Sequence, residues 1–357
     1  MSKKVYLITQ EYPPKLGGAG SVAKNNVTQL KEIGLDVVLI TSKSKFWLLG
    51  MLIKTCWHLI LRSNNQKSVI INDLGAILVC GLVLPKKQLN NSIVYLHGSE
   101  MEIINNANKG GLKTTLIKFA FTRIIENVKN IICVSKYMKE KFSVEGATIF
   151  EDIDKLEEKV KVIYTVKERR DIKQEDLVRT VFSTLNDVVK LVSVSRIEKK
   201  KGYLEKLIII EKLLADGIQI TWDIVGDGNF LNEFKSIVEN KKLSDTIKFH
   251  GALKHDDFQK ILKQSDLFWL LSEYKESFGL VYIEAHQLGI PTIGYNKYGV
   301  KEVILNNCNG YLINESSEAV EIIKNFQACD FSSLDIIEST KRFDKKVELN
   351  KLLDCIK

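Results

Sequence analysis

Phe268-Trp269-Leu270-Leu271-Ser272-Glu273-Tyr274-Lys275-Glu276-Ser277-Phe278-Gly279-Leu280-Val281-Tyr282-Ile283-Glu284-Ala285 reads in three parts. An apolar run ends at Leu271, a polar loop carries Gly279, and a segment of helical period follows. A short apolar run released into such a loop and a helix is the repeating unit of a parallel sheet. The unit recurs on both sides, with candidate strands at Lys190–Val194, Thr221–Val225, Ile247–His250, Leu267–Leu271 and Pro291–Gly294. A charged stretch from Lys167 to Asp187 interrupts the rhythm. Before it, candidate strands fall at Val5–Thr9, Asp36–Thr41, Ser68–Ile71, Ser92–Leu96, Asn130–Val134 and Lys161–Tyr164, alternating with helical stretches such as Gly20–Ile33 and Leu112–Asn127. This alternation predicts an α/β chain of two doubly wound, Rossmann-like domains joined near Val166–Asp171. The expected divisions are residues 1–167, 168–335 and a helical segment 336–357 packing back on the first domain. Ligands of such sheets bind beyond the carboxyl ends of the strands, so a central cleft faced by both domains is the expected place for chemistry.

Composition narrows the class. With 357 residues, 45% hydrophobic, 27% charged and 4 Pro, the chain is neither disordered, collagen-like nor a polytopic membrane protein. Its 6 Cys are scattered without a Cys-x-x-Cys pair, which excludes a zinc knuckle and a disulfide framework. Met1-Ser2-Lys3-Lys4 runs directly into Val5-Tyr6-Leu7-Ile8, which reads as no secretory signal and a cytoplasmic protein. Charge is uneven: residues 1–167 carry 24 Lys and Arg against 14 Asp and Glu, a net of +10, and the remainder carries 28 against 30. Such a basic half either attracts anionic lipid, nucleic acid or phosphorylated substrates, or is a solvated lysine-rich surface. Phe46–Leu61 is unusually apolar, with Trp47 and Trp57 inside it and Lys43, Lys45 and Arg62 flanking it. It is too short to span a bilayer, leaving two readings: a core-packed helix, or one lying on the inner face of a membrane.

Several loops carry groups suited to chemistry. Gln10–Gly20 follows the first strand and contains Gly17 and Gly18, whose N–H groups can approach an anion closely at a helix start. It lacks the closing Gly-Lys-Ser/Thr of a phosphate-binding loop, and a ligand-free turn reads equally well. His97 stands directly after the Ile93–Leu96 strand, where a side chain points into the expected cleft. Arg196 and Lys201 sit five apart across the turn after Lys190–Val194, so both cations can converge on one diphosphate. Glu276 precedes an expected helix start and Glu284 lies two turns in, and a helix starting there would offer the N–H groups of Phe278, Gly279 and Leu280 to phosphate oxygens.

Taken in order, these elements resemble the retaining glycosyltransferases of family 4. The resemblance covers most of the chain and is most specific from Val192 to Leu312. It rests on Ser195-Arg196-x4-Lys201-Gly202, Val225-Gly226-Asp227-Gly228, Phe249-His250-Gly251, Glu276-x7-Glu284, Gly289-x-Pro291, Gly299-x-x-Glu302 and Asn309-Gly310. Gly17-Gly18, His97-Gly98 and Val134-Ser135-Lys136-Tyr137 add to it. The resemblance implies the GT-B fold and retaining transfer of a sugar from a nucleotide-sugar to a saccharide or lipid-linked acceptor, in cell-surface glycan synthesis. It assigns Arg196, Lys201, Gly17, Gly18 and the Phe278–Leu280 amides to the donor's phosphates, Leu253 to its base, Glu284 to its ribose and Glu276 to its sugar. His97 belongs with sugar and acceptor, and neither a metal nor another cofactor is implied. Departures are Tyr164-Thr165-Val166-Lys167 in place of Asn-Gly-Val-Asp, Tyr298 in place of a glycine, Lys301 in place of a proline and His286 in place of a methionine. Alternatives are a catalytically silent GT-B subunit that stabilises a partner enzyme, and a nucleotide-sugar epimerase or phosphorylase. For a nucleic-acid partner no recognised reading module is present.

Overall fold

In the computed structural model, residues 4–13, 17–42, 44–61, 67–106, 111–164, 188–326 and 331–357 are described, with backbone alone at 106, 112, 113 and 255. The chain divides into two units, Met1–Lys167 with Phe343–Lys357, and Glu168–Arg342. The expected junction at 166–171 lies outside the described residues. The second unit runs past the expected division at 335, because helix Ser333–Ser339 packs on helix Leu280–His286 of that unit.

Strands β1 (Lys4–Ile8), β2 (Asp36–Ile40), β3 (Lys67–Ile71), β4 (Ser92–Leu96), β5 (Asn130–Cys133) and β6 (Val160–Val162) form the first sheet in the order β2-β1-β3-β4-β5-β6, all parallel. Its helices are α1 (Gly18–Glu32), α2 (Trp47–Thr55), α3 (Leu74–Val83), α4 (Lys86–Leu89), α5 (Glu100–Asn106), α6 (Leu112–Asn127), α7 (Lys136–Gly146) and α8 (Ile153–Glu157). β3 and β4 are buried at every residue, Lys67, Ser68 and Ser92 included, and residues 69–71 and 93–96 read as apolar runs because a parallel strand is covered on both faces. Asp73, Ser135 and Asp152 cap α3, α7 and α8 by accepting a first-turn N–H, which explains where those helices begin.

The second sheet contains β7 (Val189–Val194), β8 (Ile220–Val225), β9 (Ile247–Gly251), β10 (Leu267–Leu270), β11 (Thr292–Tyr295) and β12 (Gly310–Ile313), in the parallel order β12-β11-β10-β7-β8-β9. Its helices are α9 (Tyr203–Ala215), α10 (Leu231–Asn240), α11 (His255–Lys263), α12 (Leu280–His286), α13 (Val300–Val303), α14 (Glu318–Lys324) and α15 (Ser333–Ser339). A core of Tyr203, Trp222, Phe234 and Trp269 lies between α9, α10 and the sheet. β12 was not expected from sequence, being a four-residue edge strand that opens on glycine. The last helix, α16 (Lys345–Ile356), returns to the first unit: Glu348 accepts from the Tyr164 N–H at 2.9 Å and the Ile356 carbonyl from the Ser68 hydroxyl at 2.6 Å.

The apolar segment 46–61 is α2 continued by a π turn, Cys56–Leu61. Met51, Thr55 and Leu59 face the core, whereas Leu49, Ile53, Trp57 and Leu61 are exposed. The core-packed reading therefore holds for one face only.

Candidate active site

In an open parallel sheet the crevice opens where the strand order reverses. In the second unit this falls between β7 and β10, so the loops after those two strands, 195–202 and 271–279, meet there. Gly202 holds φ +69° with its Cα against the Leu271 carbonyl, leaving no room for a Cβ. One step away the Glu273 N–H donates to the Lys200 carbonyl at 2.9 Å. Across this lacing Lys201 Nζ reaches Glu276 Oε1 at 2.5 Å, the two side chains 12% and 19% exposed. Lys201 Nζ also lies 5.3 Å from the centre of the Tyr274 ring. Arg196, 65% exposed, pairs with Glu198 at 2.9 Å. Glu198 in turn accepts from the Tyr274 hydroxyl, and that hydrogen bond holds the phenol above its ordinary range.

The two cations expected to converge are thus each matched by a different carboxylate, with Tyr274 linking the two pairs. An anionic ligand entering here would compete with Glu198 and Glu276 for positive charge already assembled. Tyr274 and Glu198 were not singled out from sequence; their signal was only their position in loops at strand ends. A cleft of about 400 Å³ opens beside them, lined by Glu198, Lys199, Lys200, Asn229, Phe230 and Tyr274. A smaller one of about 190 Å³ is lined by residues that include Glu273, Tyr295, Tyr298 and Asn314.

α12 begins at Gly279, φ +92°, without a side-chain cap, in contrast to the Asp- and Ser-capped helices above. Phe278 is buried there, while Gly279, Leu280 and Glu284 are half-buried. The Glu276 carbonyl accepts from the Gly299 N–H at 3.0 Å, which fixes the backbone that carries its carboxylate. Tyr298 adopts φ +56°, the left-handed region a glycine enters without strain. Leu253 follows edge strand β9, two strands from the switch point, so the sheet does not group it with the Lys201 cluster.

In the first unit the order reverses between β1 and β3. Asp73, at the end of β3, is buried there. Its Oδ2 accepts from the Thr9 hydroxyl at 2.5 Å and from the Gln10 and Glu11 N–H groups at 2.7 and 2.9 Å, shaping the start of the glycine loop. Gly17 caps α1 through its backbone alone, and a Cβ on exposed Gly18 would meet nothing within 4 Å. Among the described residues neither packing nor φ demands a glycine at 18. His97 is half-buried and its Nε2–H donates to the Asn72 carbonyl at 2.6 Å, which leaves Nδ1 as the acceptor of the neutral ring. Glu100 is buried and accepts from the N–H groups of His97 and Gly98 at 3.1 and 2.7 Å. Lys141 donates to the Gly98 carbonyl at 2.6 Å and completes the frame. Sequence reading missed Asn72, Asp73, Glu100 and Lys141; Asp73, a capping residue after an apolar run, carried the one usable signal. Among the described residues no group of three His, Cys, Asp or Glu is placed to hold a metal ion, and no helix is long and apolar enough to cross a membrane.

Comparison with known proteins places this architecture. The profile of the family described as glycosyl transferases group 1 matches residues 153–343. N-acetyl-alpha-D-glucosaminyl L-malate synthase of Bacillus anthracis is 25% identical over 348 residues, covering 87% of this chain and 86% of the relative. Alpha-monoglucosyldiacylglycerol synthase of Streptococcus pneumoniae is 23% identical over 235 residues, covering 63% of this chain and about half, 51%, of that enzyme. The crystal structure of Anabaena HepE with UDP and glucose superposes with a TM-score of 0.74 at 19% identity, covering 99% of both chains. At that identity the likeness concerns the fold, which is GT-B. The profile spans more than half of the chain and takes in both loops that meet at the β7–β10 switch point, and on that footing the protein belongs to the group 1 glycosyl transferases.

Proposed function

We propose that this glycosyltransferase is a retaining, metal-independent enzyme that moves a sugar from a nucleotide-sugar to a saccharide or lipid-linked acceptor in cell-surface glycan assembly. The observation that carries the donor half is the Lys201–Glu276 pair at the second unit's switch point, 2.5 Å apart and largely shielded from water. In the transfer, the bond from the anomeric carbon to the diphosphate breaks with its electron pair on the phosphate oxygen. A bond from that carbon to an acceptor hydroxyl oxygen forms on the same face, and the O–H bond breaks with its proton passing to His97 Nδ1. Lys201, Arg196 and the Phe278–Leu280 amides supply the positive field for the leaving diphosphate, the role a metal ion plays in other transferases. Glu276, exchanging Lys201 for the donor, contacts the sugar; Glu284 accepts from the ribose hydroxyls and Leu253 meets the base. In the first unit, Gly17, Gly18 and His97 serve the phosphates, the sugar and the acceptor, with His97 Nδ1 as the available base. One relative, a synthase of alpha-monoglucosyldiacylglycerol, supports a lipid acceptor; the other, a synthase of N-acetyl-alpha-D-glucosaminyl L-malate, shows a relative whose product is a small conjugate.

A panel of nucleotide-sugars tested for thermal stabilisation, followed by NMR of the product's anomeric configuration, tests the proposal. Lys201→Met is expected to lower kcat/KM by about 10²–10³ with the fold retained, the usual cost of one donor to developing negative charge. Glu284→Gln should act on KM, and Glu276→Gln on kcat. Stabilisation by no nucleotide-sugar, or an inverted product, would overturn it.

A further inference from the structure

A helix apolar all round is normally buried on all sides. α2 and its π extension break that rule. Met51, Thr55 and Leu59 form one stripe, at most 4% exposed, and Leu49, Ile53, Trp57 and Leu61 form another, between 50% and 70% exposed. Two residues, about 200° of helix, separate the stripes, so they lie on opposite faces. The π turn keeps Leu61 on the outer face by reversing the forward drift of a four-residue spacing, and Lys67 anchors it by donating to the His58 carbonyl at 2.7 Å. α3 packs against both α2 and α6, with Gly81 lying directly on Ala120. Beside that contact Leu82 and Phe119 are again exposed. Three neighbouring helices therefore present large apolar side chains to solvent.

Charge identifies the occupant. Between Val37 and Ser99 the chain holds a single acid, Asp73, and it is buried in the loop network described above. Lys45, Lys54, Lys86 and Lys87 are exposed over the same span. A second copy pairing through this face would set like charges against each other, since a two-fold interface opposes each patch to itself. A surface that combines Trp and aliphatic side chains with uncompensated cations matches the interface of an anionic bilayer. We propose that the α2–α3–α6 face docks on an anionic lipid surface. The idea deepens the lipid-linked acceptor reading and rests on it for the acceptor, but not for its test.

The test is flotation of the full chain with vesicles of phosphatidylcholine alone, or with about a third phosphatidylglycerol, at low and high salt. Expected is binding only to the anionic vesicles, weakened by salt. Partition should fall at least tenfold in Trp57→Ser combined with Phe119→Ser, and likewise in Lys54→Glu combined with Lys87→Glu. Unfolding midpoints and hydrolysis of the nucleotide-sugar donor should stay as in the parent, because these side chains are exposed and outside the donor cluster. Absence of binding to anionic vesicles at low salt, or equal binding by the Trp57/Phe119 variant, overturns the proposal. So does a parent dimer in sedimentation velocity that the same substitutions dissociate. Loss of donor hydrolysis in the parent would instead count against the transferase reading while leaving the docking result intact.

Discussion

His286→Met should make the second unit less sensitive to acid. His286 is 1% exposed near the end of α12, with Nε2 3.0 Å from the Thr292 hydroxyl. Burial first, and then the Arg342 charge, push its pKa down from 6.5 to about 3. The folded state therefore keeps the ring neutral while the unfolded chain takes up a proton below 6.5. Unfolded protein binds more protons in that window, so stability falls as pH falls, from above 6.5 toward 3. At pH 5 the loss from this one group is about 2 kcal/mol, and at pH 3 about 4 kcal/mol. Methionine fills a similar volume without a titrating group, at the cost of the Thr292 hydrogen bond, about 1 kcal/mol. The variant should thus be slightly less stable at pH 7.5 and more stable than the parent at pH 5. Urea titrations at both pH values, followed through the fluorescence of fully buried Trp222 and Trp269, measure the difference directly. The carboxylates and the other histidines titrate alike in parent and variant and cancel. If both proteins lose the same stability between pH 7.5 and 5, to within about 0.5 kcal/mol, burial of His286 does not control its ionisation.

Lys206 is fully buried beneath Tyr203, Trp222 and Trp269, its Nζ 3.1 Å from the Ser193 hydroxyl, and burial lowers its pKa well below the ordinary range. Because the folded state holds fewer protons in that window, stability should rise with pH toward 10.5. Lys206→Met should remove that rise and add about 1–3 kcal/mol at pH 7, as relief of desolvation outweighs the lost hydrogen bond and ring contacts. A destabilised variant with an unchanged alkaline slope would contradict this. Tyr298→Gly should relieve left-handed strain of about 1–2 kcal/mol, less the entropy glycine adds to the unfolded chain, for a net gain of about 0.5–1 kcal/mol. It should also change the ranking of nucleotide-sugars in the thermal-shift panel, because Tyr298 precedes the glycine bonded to Glu276. An unaltered ranking would separate Tyr298 from donor choice.

The strand rhythm was legible because parallel strands are covered on both faces, and residues 69–71 of β3, 93–96 of β4 and all of β10 show it as apolar runs. Strand boundaries fell within a residue or two, and the two helical stretches bounded from sequence begin beside loop glycines, Gly17 and Gly111, that cap them. What could not be read is strand order, and the site's geometry depends on it. Lys201 and Glu276 are 75 residues apart, and Thr9 and Asp73 are 64 apart. Each pair meets only because β7 lies beside β10 and β1 beside β3. The alternating pattern is compatible with many orders, so Arg196 and Lys201 read as a convergent pair from their spacing alone. The sheet instead brings a carboxylate to each cation, Glu198 from the same loop and Glu276 from across the switch point. Exposure of α2 was hidden for a similar reason. Apolar content tells that a helix can be buried, but how many of its faces find a neighbour depends on what packs beside it. Here one face packs toward the sheet while Leu49, Ile53, Trp57 and Leu61 on the other stay at least half exposed, which is the difference between a core helix and the docking surface proposed above.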